Sequence, residues 1–191
     1  LSIIGVSTLM ALAIGIPIGI LKARDDRVQS TVTPVIDIMQ TMPSFVYLIP
    51  VVMLLGIGRV PGVLSVIIYA IPPVIRLTNL GIRLVDKDVL EAANAFGASF
   101  RQRLFGVQIP LAMPNIMAGV NQTIMMALAM VVIASMIGVK GLGQPVLKAI
   151  TNQYFSMGLF NGLAIVAIAI IFDRVSQAYG HRIQKHRGVG H

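Results

Sequence analysis

Five stretches without a single charged residue dominate the pattern, over residues 1–21, 38–58, 60–75, 104–139 and 149–172. A hydrocarbon core about 30 Å thick is crossed by roughly 20 apolar residues rising 1.5 Å each. The runs therefore predict an all-α integral membrane protein with five spans, over 1–21, 34–58, 62–82, 111–138 and 154–172. The third span reaches this length by continuing past Arg76 to Ile82. The expected organisation is a transmembrane domain, 1–173, with a charged loop at 83–110 and a basic tail at 174–191.

Local signals refine the elements. Thr33 before Pro34 reads as an N-cap followed by proline at the first helical position. Pro17, Pro43, Pro50, Pro72, Pro73 and Pro114 fall within or at the ends of spans, where each removes a helical hydrogen bond and can bend the axis. Gly15 and Gly19 form a G-x-x-x-G spacing, read as close packing between helices of the same subunit. In the loop, Asp88 and Glu91 have capping-box spacing. Gly97 would end the short helix in the left-handed region, and Ser99 would cap a second one carrying Arg101 and Arg103.

Composition agrees with a membrane protein: 56% of the 191 residues are hydrophobic and 12% charged, with a mean hydropathy of +0.85. Ordinary soluble domains carry about 25% charge. The net charge of +8 and the absence of cysteine point to neither nucleic acid nor a disulfide scaffold. Topology accounts for the basic excess, because Lys and Arg near span ends stay on the cytoplasmic side. With the N-terminus outside and the C-terminus cytoplasmic, Lys22, Arg24, Arg27, Arg83, Lys87, Arg101, Arg103, Arg174, Arg182, Lys185 and Arg187 lie inside. Only Arg59, Lys140 and Lys148 lie outside.

A signal peptide is rejected for the first span, although Ala11-Leu12-Ala13 resembles a cleavage triplet, because its basic cluster follows a long apolar run. The chain opens inside that run without Met and is expected to be a fragment lacking upstream sequence.

Candidate chemistry is sparse. There is no G-x-x-x-x-G-K-[ST] phosphate loop, and Gly138 to Gly143 reads as a mobile outer loop. His181, His186 and His191 are spread along the basic tail, so no metal site is expected, and no nucleophile–base arrangement stands out. Polarity alone nominates Asn121, Gln122 and Ser135 as pathway residues. An intramembrane charge needs a partner or a route to the interface. Arg76 can snorkel, or it can pair with Asp37 of the preceding span.

Glu91-Ala92-Ala93, three residues, Gly97, nine residues, then Val107-Gln108-Ile109-Pro110 resembles the E-A-A loop of ABC importer permeases, with Val107 and Ile109 as conservative departures. Residues 39–50, 71–76, 119–128 and 138–146 are similar to permeases for glycine betaine and proline betaine. The resemblance implies the five-helix core of a type I importer permease in a prokaryotic inner or plasma membrane. It further implies a permease homodimer, separate ATPase subunits that bind ATP-Mg, and an extracytoplasmic binding protein; this chain would hold no cofactor and perform no catalysis. Glu91, Ala92, Ala93, Gly97, Arg101, Arg103, Val107, Ile109 and Pro110 would form the ATPase-coupling loop. Tryptophan is absent, so Tyr47, Tyr69 and Tyr154 read as packing or interfacial anchors that touch a passing betaine weakly at most. Choline, carnitine or an amino acid as substrate, a secondary transporter, and a membrane scaffold are the alternatives.

Overall fold

The computed structural model describes residues 2–136, 138, 141 and 143–186, and the side chains of His181 to His191 lie outside what it describes. The described residues form helices without strands: α1 (Ser2–Arg24), α2 (Asp26–Thr41), α3 (Ser44–Leu55), α4 (Arg59–Arg83), α5 (Lys87–Ala95), α6 (Phe100–Arg103), α7 (Ile109–Met136), α8 (Gly143–Thr151) and α9 (Phe155–His186). A five-residue π-helical turn, Leu104–Gln108, joins α6 to α7. Four of these helical stretches are long and apolar enough to cross a membrane, and the α2–α3 pair makes a fifth if it counts as one span.

That pair differs most from the sequence expectation. No single helix covers 34–58: α2 and α3 meet at 96°. Pro43 forces the residue before it out of the helical region, and Met42 accordingly sits at φ −76°, ψ 134° and ends α2. The start moves too. Asp25, not Thr33, is the N-cap, accepting from the Arg27 N–H at 2.8 Å. At Thr33 the chain is already helical, its hydroxyl donating to the Gln29 carbonyl at 2.6 Å, so Pro34 lies within α2. Across the elbow, the Tyr47 hydroxyl donates to the Met39 carbonyl. The Tyr47 ring also meets Tyr69 of α4 edge-on at 5.6 Å, fixing α3 against the bundle.

α4 is the central helix, packed along α1 on one side and α7 on the other. Gly15 and Gly19 of α1 face Val74, Ile75 and Thr78 of α4, the intra-subunit packing that their spacing suggested. A Cβ on Gly19 would lie 2.7 Å from the Thr78 Cβ and 2.9 Å from the Ile75 carbonyl oxygen. On the other side, a Cβ on Gly81 of α4 would lie 2.7 Å from the Asn115 Cβ, and one on Gly119 of α7 would lie 3.1 Å from the Val74 Cα. Tyr47, Leu48, Val66, Ala70, Ala127, Met130 and Ala134 form the core between α3, α4 and α7.

The outer surface is apolar. Leu54 is 84% exposed and Phe155 is 80% exposed, and α9 packs mainly along α7 and α8. The last helix passes the expected tail boundary and continues to His186, while Lys140 and Arg187 to His191 lie outside the described residues.

Gly19→Leu is expected to destabilise the solubilised protein by about 1–3 kcal/mol, the usual cost of forcing bulk into a packed contact. Gly5→Ala, within α1 where a Cβ meets nothing within 4 Å, should not destabilise and should gain up to about 1 kcal/mol from the helix preference of alanine. Thermal unfolding in detergent compares the two.

Candidate functional site

The segment between α4 and α7 carries six charged residues, and α5 buries none of its residues. Its first cap lies two residues earlier than the Asp88–Glu91 spacing suggests. Asp86 is extended at ψ 133° and accepts from the Asp88 N–H at 2.9 Å, so the helix starts at Lys87. Glu91 is therefore not engaged in a cap and lies exposed in the helix middle, beside exposed Ala92 and half-buried Ala93.

α5 ends as expected. Gly97 adopts φ +74°, a region that costs residues with a Cβ about 1–2 kcal/mol. Its N–H donates to the Asn94 carbonyl at 2.9 Å, and the Ala98 N–H reaches the Ala93 carbonyl at 3.0 Å, the paired bonds of a Schellman end. Ser99 then caps α6 in a complete capping box: the Gln102 N–H donates to its Oγ at 3.4 Å, and the Ser99 N–H donates to Gln102 Oε1 at 2.8 Å.

The hairpin has two unlike faces. Outward lie Glu91, Arg101 and Phe96, the last 92% exposed. Arg103, expected alongside Arg101, turns inward instead: its Nη1 donates to Asn94 Oδ1 at 2.7 Å, stapling α6 to α5. Its guanidinium carbon lies 5.7 Å from the Phe100 ring centre, and that of Arg24, at the end of α1, lies 3.9 Å from it. Nearby, Arg83 pairs with Asp26 at 2.6 Å, the one ion pair among the described residues, and also donates to the Lys22 carbonyl at 3.4 Å. An open cleft of about 760 Å³ lies between the α1–α2 junction and α6, bordered by Arg24, Arg27, Phe100 and Arg103.

Val107, Ile109 and Pro110 belong to the return into the bundle rather than to the exposed face; all three are half-buried. Ile109 packs against Ile82, Ala112 and Ile116. Pro110 lies inside one helical path that runs from Phe100 to Met136. Proline lacks the N–H that would bond one turn back, and the wide π turn before it absorbs that gap.

The nominated pathway residues do not converge. Asn121 donates to Asp173 Oδ1 on α9 at 3.3 Å, and that carboxylate also accepts from Gln177 at 2.8 and 2.9 Å. Gln122 is exposed, one helical step of about 100° away. Ser135 is buried, donating to the Val132 carbonyl at 2.7 Å and accepting from the Gly143 N–H at 2.8 Å, so it anchors the start of α8. Arg76 does not pair with Asp37: its Nη1 donates to Gln40 Oε1 at 2.9 Å, while Asp37 lies within Coulombic range of Lys22. Sequence reasoning missed Arg24, Phe100 and the Arg83–Asp26 pair, for which no spacing pattern exists because the partners come from distant parts of the chain. Among the described residues, no three His, Cys, Asp or Glu side chains come together as metal ligands.

Comparison with known proteins places this arrangement. Residues 15–185 match the family model described as the binding-protein-dependent transport system inner membrane component. The glycine betaine/proline betaine transport system permease ProW of Escherichia coli is 55% identical over 98% of this chain and 53% of its own length. The glycine betaine/carnitine transport permease GbuB of Listeria monocytogenes is 51% identical over 95% of this chain and 64% of its own. For the glycine betaine transport system permease OpuAB of Bacillus subtilis the identity is 49%, over 93% of this chain and 63% of its own. The chain thus spans between about half and two thirds of these relatives. In fold it resembles the inward-facing MetNI methionine ABC transporter, with a TM-score of 0.84 at 18% identity, covering 95% of this chain and 91% of that one. The chain belongs to the family of binding-protein-dependent transport system inner membrane components.

Proposed function

We propose that this chain is the transmembrane permease part of an ATP-driven ABC importer for glycine betaine and proline betaine type osmoprotectants. The observation that carries the reading is the name shared by the three relatives, each a glycine betaine permease at 49–55% identity over at least 93% of this chain. The carnitine in the name of the Listeria permease supports a second reading within the same class, in which carnitine is also carried.

In this reading the chain moves substrate and performs no chemistry. Separate ATPase subunits bind ATP-Mg, a second permease copy completes the pathway, and an extracytoplasmic protein delivers the substrate. The N-terminus lies outside and the 83–110 loop inside, as the Lys and Arg distribution favours. Glu91, Ala92, Ala93, Gly97 and Arg101 then form the face that docks on the ATPase. Small residues there allow close approach, and exposed Phe96 offers an apolar anchor at its end. Val107, Ile109 and Pro110 pass the displacement into α7. Alternating access follows as the helices rearrange.

Two outcomes are expected. In proteoliposomes holding the full permease, its ATPase and its binding protein, labelled glycine betaine should enter only with ATP and compete with proline betaine; uptake indifferent to the ATPase would overturn the reading. Glu91→Lys reverses a charge on the docking face and Gly97→Asp adds strain and charge at the hairpin's turn. Each should reduce ATP-driven uptake at least about tenfold, about 1.4 kcal/mol of lost coupling, with membrane levels unchanged on immunoblots.

A further inference from the structure

We propose that Phe100 is a positioning residue that ties the coupling hairpin to α1 through a stack of two arginines, so that ATPase motion reaches α1 directly as well as through α4 and α7. The inference rests on the importer reading above and adds a specific route to it. α5 buries no residue in the bundle, so packing alone does not connect the docking helix to the spans. The chain itself provides two connections, through Leu84 to Asp86 into α4 and through the π turn into α7. The side chains supply another. Asn94 of α5 holds Arg103 at 2.7 Å, and Arg103 and Arg24 approach the Phe100 ring at 5.7 and 3.9 Å.

Arg24 is in the last turn of α1, and α1 has little freedom to slip along α4. Gly19 sits so close to Thr78 and Ile75 that a Cβ would not fit, and Arg83 of α4 grips Asp26 and the Lys22 carbonyl across the same junction. A displacement of α5 is therefore carried through Arg103 and Phe100 to the end of a helix that moves as a unit with α4. The cleft of about 760 Å³ beside the stack leaves room for the hairpin to shift. The guanidinium–ring contact holds by the negative face of the ring, which an aliphatic side chain of similar bulk lacks.

The test uses the full permease with its ATPase and binding protein in proteoliposomes, with ATP hydrolysis and labelled glycine betaine uptake measured on the same vesicles. Phe100→Leu keeps the apolar bulk and loses the ring; Arg24→Gln keeps the ring and loses the cation. Each is expected to lower uptake per ATP hydrolysed by about two- to fivefold, the factor that an exposed cation–π contact corresponds to, with hydrolysis itself nearly unchanged. Phe100→Tyr should retain the wild-type ratio. A wild-type ratio in either Phe100→Leu or Arg24→Gln overturns the proposal. So does a parallel loss of hydrolysis and uptake in all three variants, which would mark a docking or folding role. Should Phe100→Leu fail to reach the membrane, Arg24→Gln decides alone. Failure of the wild-type complex to take up betaine is a different result, and removes the betaine reading itself.

Discussion

The bundle depends on how closely three helices can approach one another. Between helices in lipid the hydrophobic effect gives little drive, because acyl chains are as apolar as leucine, and association relies on backbone proximity and dense contact. α1, α4 and α7 meet this constraint with glycine at their crossings, Gly15 and Gly19 against α4, Gly81 against α7 and Gly119 against α4. With those contacts made, α4 has neighbours on both sides, and its buried polar side chains, Ser65, Thr78 and Asn79, stay within the protein. The rim can then remain loosely held and apolar toward its surroundings, as α9 does.

The same constraint explains where the polar groups lie. Charged side chains cluster where α1 gives way to α2 and α4 ends, and there Arg83 pairs with Asp26 and Arg24 lies over Phe100; further back along α4, Arg76 finds the neutral Gln40 of α2. The Arg83–Asp26 pair is largely exposed and contributes at most about 1 kcal/mol. Its effect is geometric, since it holds the α1–α2 junction in one place relative to α4.

Much of this was readable from the residues, and the failures share a cause. Apolar runs marked the long helices because lipid excludes charge over a fixed length, and Gly97 and Ser99 marked the hairpin because their requirements are local. The elbow at Pro43 was not predicted, since six prolines fall in or near spans and nothing in the pattern says which one redirects the chain and which, like Pro50 and Pro114, are absorbed. The Arg76 partner was missed by one helical turn: Asp37 and Gln40 lie three residues apart on α2, and the helix face is set by a start at Asp26 that the Thr33-Pro34 signal obscured. Arg24 and Phe100 are 76 positions apart in sequence, and only the packing of α1 brings them together.

The π turn at Leu104–Gln108 also governs the angular phase between the hairpin and the bundle. Such a turn accommodates one residue more than an α-helical path would hold, and each residue of an α-helix advances the facing direction by about 100°. Upstream, that phase sets which way Arg103 and Phe100 point; downstream, it sets which flank of α7 meets Gly81. A single residue lost from this turn would let a regular helix fill the same path with the hairpin facing nearly as before, whereas all five residues wound as a regular helix would swing the hairpin's outward face by roughly the 100° of one residue. The width of this turn is thereby a determinant of aim: it absorbs a residue that would otherwise rotate the hairpin against the bundle.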